Sequence, residues 1–264
     1  MKSSAIATVL IACALTACGK SESSDTAATS DSTPSSEKAD EAKASGVSSS
    51  KVDSETPADK FAVMDTAVSC LGIYANIAPA DGKERAVAAF AGIQDSGFRK
   101  LDGFARADKI KATEAAFDEA AAPFKGKTLF TYTSQKNDNY RQYDMERKAF
   151  FDSTGLTWGS HNEITGESTG NNSLSFNNNS GYCVLQLINT DNWKSQFKVE
   201  DEAQARAADE ARRNGNGHVK YYLQAVNANK ADSGNDWPRV QAEIVRVELV
   251  DASGKLLARA HPTL

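Results

Sequence analysis

Histidine is scarce in this chain of 264 residues, with only His161, His218 and His261, far apart in sequence. There is no HExxH, no EF-hand loop and no CxxC, so the common zinc, calcium and thiol-exchange sites are not encoded in recognisable form. His161-Asn162-Glu163 matches the first half of the zinc deaminase signature, but the later CxxC is missing. Asp232, Asn235 and Asp236 could touch calcium loosely and read more simply as a polar loop. No GxSxG elbow, GxGxxG turn or P-loop is present. Ser160 and His161 are chain neighbours, which does not set a base on a nucleophile. The thirty-five acids make some carboxylate pair inevitable, so a glycosidase pair cannot be singled out. The expectation is therefore no metal, no cofactor and no assignable catalytic residue.

Long apolar runs are also missing. The one apolar stretch near the start, Ala5 to Leu15, is too short for the ~20 residues that span a bilayer in helix. It follows Met1-Lys2 and ends at small residues, the pattern of a secretory signal. Leu15-Thr16-Ala17-Cys18 closes it, and this resembles the lipobox of bacterial lipoproteins. The resemblance implies cleavage after residue 17, a diacylglyceryl group on Cys18 and a membrane partner through that lipid. It also implies the cell envelope as location. Gly19 stands where an aspartate would hold such a protein at the inner membrane, so the outer membrane, facing the periplasm, is expected. Several acyl chains make a strong anchor, at about 0.8 kcal/mol per buried methylene.

From Gly19 to Asp59 the chain lacks large apolar residues apart from Val47 and Val52. Such a segment cannot bury enough surface to offset chain entropy, so residues 18–59 read as a disordered tether. The tether holds nine acids and four lysines, net −5. With Lys2 lost in the signal, residues 60–264 carry about −1 of the chain's −5. A near-neutral domain has no electrostatic footprint for nucleic acid and no polybasic membrane patch. Those 205 residues fit one globular domain.

The domain begins with helical periodicity. Phe61, Met64, Val68, Leu71 and Tyr74 recur at three- and four-residue spacing, and Lys83–Gln94 is rich in helix formers. A third helix runs from about Ala107 to Ala121, with Ile110, Thr113, Phe117, Ala120 and Ala121 on one face and Pro123 and Gly126 after it. The period then changes to two. Strands are expected at Thr128–Thr133, Leu156–Trp158, Leu174–Phe176, Gly181–Thr190, around Phe197 in the same sheet, and from His218. Tyr140–Phe151 is ambiguous and leans to strand. One helix is inserted: Asp201 caps it, Gln204 stands at the capping-box position, and Asn214-Gly215 closes it. In Val240–Val250 the apolar phase slips at Ile244-Val245, which a β-bulge or burial of both faces explains equally. Asp251–Lys255 then turns, with Gly254 left-handed. The fold class is α+β: N-terminal helices packed on a mostly antiparallel sheet with one inserted helix.

Removing Cys13 with the signal and Cys18 with the lipid leaves Cys70 and Cys183. An oxidising compartment suggests a disulfide between them, and two separate buried thiols are the alternative. Trp158, Trp193 and Trp237 sit in polar, loop-like contexts where an indole can stack on a sugar while neighbouring amides bond its hydroxyls. The simpler alternative is that they cap the core. The function expected is a membrane-tethered, non-enzymatic module that binds an envelope protein or glycan. A carrier of a small apolar ligand and an envelope hydrolase are the alternatives.

Overall fold

A computed structural model describes residues 52–134, 140–154, 156, 173–178, 181–190, 193, 196–230 and 237–260. The fold is α+β. Strands β1 (Ala62–Val63), β2 (Leu129–Thr133), β4 (Ser173–Asn178), β5 (Gly181–Leu187), β7 (Gly217–Lys230), β8 (Pro238–Asp251) and β9 (Leu256–Arg259) form one sheet. Its order is β1-β2-β7-β8-β5-β4, and β9 also pairs with β8. Most pairs are antiparallel; β1–β2 and β5–β8 are parallel. Strand β8 is long enough to pair with β5 through its first half and β9 through its second.

Helices α1 (Ala67–Ile77), α2 (Gly82–Gln94) and α3 (Gly103–Ala121) precede most of the sheet, and α4 (Glu202–Arg213) is the inserted helix. Helix α1 is apolar nearly all round and buries Cys70, Leu71, Ile73 and Tyr74 in the main core. Such a helix needs a firm start. Thr66 and Ser69 supply a capping box, each side chain satisfying the other's backbone N–H. That cap explains one departure from the sequence reading. Phe61 and Met64 have helical spacing but lie before Thr66, in extended chain. Met64 N–H donates to the Thr131 carbonyl and carries β1 alongside β2. Helix α3 begins earlier than its apolar face suggests, at the Asp102 cap, whose carboxylate accepts the Ala105 N–H.

Asp201 caps α4 as expected, and Gly215 takes φ 70° beyond its end. Gln204 does not complete a capping box. Its side-chain amide donates to the Leu257 carbonyl at 2.5 Å and ties α4 to β9. Two further readings change. Within Tyr140–Phe151 only β3 (Ala149–Phe151) is strand. Before it the Asp144 carboxylate gathers the N–H groups of Glu146 and Arg147 into a turn, and Lys148 takes φ 48°. The strand at Phe197, β6 (Gln196–Lys198), pairs with β3 in a separate two-stranded sheet instead of continuing the main one. Phe150 and Phe197 face each other there and still reach the main core. Of the strand expected at Leu156–Trp158, the last two residues lie outside the described residues.

The phase slip in β8 is a bulge. Tyr222 pairs with Arg246 and Leu223 with Ile244, leaving Val245 over. The bulge keeps Val240, Ala242, Ile244, Val247 and Leu249 in the main core. Val245 instead joins Phe61 and Tyr222 in a small cluster on the opposite face. Both explanations of the sequence pattern are therefore present together, since β8 beyond the bulge is buried on both faces.

What covers that second face is a strap, residues 52–61, most of which the sequence assigned to the tether. Arg246 donates to the carbonyls of Ser54 and Thr56, and Arg259 pairs with Glu55 at 2.8 Å. Residues 52–59 therefore belong to the domain and not to the tether. Low apolar content hid the strap, because its hold is a guanidinium on backbone oxygens, which leaves no side-chain pattern.

Cys70 and Cys183 form a disulfide that pins α1 to β5 across the core. Near the other end of the core, the Tyr140 hydroxyl donates to the Ala208 carbonyl at 2.9 Å, and burial pushes its phenol up to about 12. Tyr74 and Tyr132 are also raised, chiefly by burial. An unfolded chain releases the phenol proton near 10.0 and the folded chain holds it, so Tyr140 stabilises the fold fully below pH 10 and loses that contribution as pH rises towards 12. Thermal unfolding measured from pH 9 to 12 should show a falling midpoint, shallower in Tyr140→Phe. Identical slopes would refute the assignment.

Candidate binding face

The outward phase of β5 is Tyr182, Val184, Gln186, opposite to the core residues Cys183, Leu185 and Leu187. In the parallel pairing with β8, Val184 lies beside Arg239 and Gln186 beside Gln241. Strand β7 adds Asn227 beside Gln241. Three amides thus form one row across three strands. Asn227 donates to Gln241 Oε1 at 2.8 Å, and Gln241 donates to Gln186 Oε1 at 3.0 Å. Arg239 approaches the same Gln186 oxygen at 3.4 Å. With Gln186 Oε1 occupied, its amide N–H groups have no protein partner among the described residues. Glu243 lies two residues along β8 on this face, half-buried and with no ion pair among the described residues. Exposed Ser175 on β4 lies beside Val184, at the border of this face.

The strand ends carry aromatic groups. Tyr182 and Trp237 stack at 4.3 Å between ring centroids and 12° between planes. The Arg99 guanidinium lies 4.9 Å from the Tyr182 centroid. Since Trp237 fills one face of that ring, the guanidinium takes the other. Arg99 belongs to a short 3-10 turn, Phe98–Lys100, that follows α2. The turn is held firmly: Phe98 is buried, the Asp95 carboxylate accepts the Gly97 N–H, and Arg106 donates to the carbonyls of Arg99 and Leu101. Arg99 itself is exposed and has no carboxylate partner among the described residues. The geometry therefore offers a flat aromatic edge with a cation against it and, further along the same strands, a row of amide donors and acceptors.

The sequence candidates distribute unevenly over this arrangement. Trp237 is half-buried and forms the outer end of the stack. Trp193 is 8% exposed and packs in the main core, as the core-capping alternative requires, so its ring is not presented for stacking. Trp158, His161, Ser160 and the Asp232–Asp236 loop lie outside the described residues, as do Cys18 and His261. Sequence reading missed Arg99 and Tyr182. Tyr182 was visible as an outward residue of β5, but nothing local tied it to a tryptophan 55 positions later.

Two other places were candidates for chemistry. Asp152 is 1% exposed, accepts the Tyr221 hydroxyl at 2.5 Å and the Thr154 N–H at 2.7 Å, and bridges to Tyr140. One oxygen ties the end of β3 to Tyr221 on β7 and the other closes a local turn, a structural task. A groove of about 540 Å³ between α2 and α3 mixes Lys83, Glu84, Arg106, Lys111 and Glu114 with Val87 and Ile110. Lys83 bridges Glu114 and Asp118 at 2.9 and 3.0 Å along that groove, and those hydrogen bonds raise its pKa. Among the described residues no group of three His, Cys, Asp or Glu side chains could hold a metal, and no helix is long and apolar enough to cross a membrane.

These features define an α+β domain with one helix-covered sheet face and one polar face edged by stacked aromatics. No protein-family model, curated protein or solved structure matches the chain.

Proposed function

We propose that this protein is a lipid-anchored module of the bacterial envelope that binds an envelope component and performs no reaction on it. The lipobox-like Leu15–Cys18 supports the anchor, with Cys18 as the acylated residue and the periplasmic side of the outer membrane as its place. The observation that carries the binding reading is the Arg99–Tyr182–Trp237 stack beside the Gln186–Gln241–Asn227 row. Polar groups held in fixed orientation next to an aromatic face suit reversible recognition of a polar ligand, because little side-chain entropy remains to be lost on binding.

In-cell photo-crosslinking on the full, lipidated chain tests this. A photoreactive residue at Ser175, on β4 at the border of the face, should capture an envelope component. The same residue at Ala115, on the exposed side of α3, should not. The chain should fractionate with membranes, and Cys18→Ser should release it. Equal capture from both positions would refute the binding face. A Cys18→Ser chain that stays with membranes would refute the anchor.

A further inference from the structure

The polar face has features that select one class of ligand, and we infer that it binds the glycan strand of peptidoglycan, an acetamido-sugar polymer bearing carboxylates. The inference rests on the binding reading above and names its ligand.

Each group on the face matches one group of such a strand. Trp237 is the outer ring of the stack, and Tyr182 behind it fixes the indole plane. A fixed indole favours the apolar C–H face of a pyranose, where a flexible side chain would lose entropy on binding. The row Gln186–Gln241–Asn227 presents amides at the spacing of neighbouring strands, about 4.8 Å, with Gln186 N–H groups still open. Open amide donors match the carbonyl of an acetamido group, and Glu243 offers an acceptor for sugar hydroxyls. From Trp237 to Gln241 is four residues of β8, about 13 Å, the length of a short oligosaccharide.

Charge separates this ligand from a neutral glycan. Arg99 and Lys100 are exposed, and neither has a carboxylate partner among the described residues. The Arg99 guanidinium moreover lies over the Tyr182 ring, 4.9 Å from its centroid. A guanidinium with no carboxylate partner among the described residues, beside a sugar-stacking ring, calls for an anion at that end of the ligand. The carboxylates carried on the lactyl-linked stems of peptidoglycan supply it. The chain outside the described residues agrees with this occupant. Thirty-three residues separate Cys18 from Val52, and Val52 enters on the same side of the sheet. At about 3.4 Å per residue the face can work up to ~110 Å from the anchored lipid, within reach of a polymer lying off the membrane.

The test is isothermal titration of the full, lipidated chain in detergent with three defined probes: soluble uncrosslinked glycan-strand fragments carrying their stem peptides, chitotetraose, and free stem peptide. Strand fragments are expected to bind about tenfold more tightly than chitotetraose, and free stem peptide not measurably. Arg99→Gln should erase that advantage by weakening the strand fragments to the level of chitotetraose. Trp237→Ala should weaken both sugar probes by about tenfold or more. Phe104→Ala, at an 89% exposed position on α3 away from the face, should change neither. Unchanged thermal unfolding in Arg99→Gln, an exposed substitution, keeps loss of binding distinct from loss of fold. Equal affinity for chitotetraose, binding of stem peptide alone, or a strand affinity unmoved by Trp237→Ala would each overturn the inference. Capture from Ser175 with no binding of any sugar probe would overturn it while leaving the binding module standing.

Discussion

Replacing Cys70 and Cys183 together by alanine is expected to lower the unfolding free energy by about 4 to 5 kcal/mol. The sulfur bridge closes a loop of 113 residues, and in the chain-entropy account a loop of that length removes this much freedom from the unfolded ensemble. Both cysteines are fully buried, so two small apolar side chains leave no polar group stranded in the core. The link also joins the two layers directly: α1 carries one end and β5 the other. Urea unfolding of the double variant beside the wild type, both without reductant, measures the difference. Wild type assayed with reductant should move most of the way towards the variant. A difference below about 1 kcal/mol would show that the loop is already restricted in the unfolded chain.

Arg246→Met is expected to cost about 3 kcal/mol and to free the strap. Arg246 is 6% exposed in its side chain, and its guanidinium has three kinds of partner. It donates to the carbonyls of Ser54 and Thr56, lies 3.8 Å from the Tyr222 centroid, and stands with Nε 3.0 Å from Glu248 Oε1. Nε makes no hydrogen bond in spite of that distance, so the pair with Glu248 is a charge contact at a poor angle. Glu248 is itself buried, and after the substitution Arg259, at 3.2 Å, is the ion-pair partner left to it among the described residues. A second change, Glu248→Leu, should therefore recover part of the loss, since it removes the stranded carboxylate. Urea unfolding of the two single variants and the double variant gives the coupling. Trypsin adds an independent readout, because Lys60 lies in the strap and should be cut faster in Arg246→Met. Unchanged cutting would mean that Phe61 packing on Tyr222, at 5.1 Å, holds the strap alone.

Both residues show where local pattern is informative and where it stops. Cys70 and Cys183 could be paired by elimination, because the resemblance to a lipobox assigns Cys13 to a signal and Cys18 to a lipid. Arg246 could not be singled out. In sequence it is one arginine in a strand of alternating Val, Arg, Val and Glu, where a solvent-facing charge is the ordinary expectation. It is buried because the strap crosses that face, and the strap has no periodic signature.

The sequence by itself determined those elements whose stabilising groups lie within a few residues of one another. Helix α4 is one, with its Asp201 cap and Gly215 closure, and so are the left-handed turn at Gly254 and the inward phase of β5. The slip in β8 was visible too, because a bulge changes the apolar spacing of the strand that contains it. Only the tertiary structure decided that β6 leaves the main sheet for β3, that Phe61 belongs with Tyr222, and that Arg99, Tyr182 and Trp237 meet. The physical reason is the range of the interactions. A cap or turn is satisfied by its own neighbours and writes its requirement into adjacent residues. A ring stack or a guanidinium on a distant carbonyl constrains two segments through space, and neither segment alone carries a trace of the other.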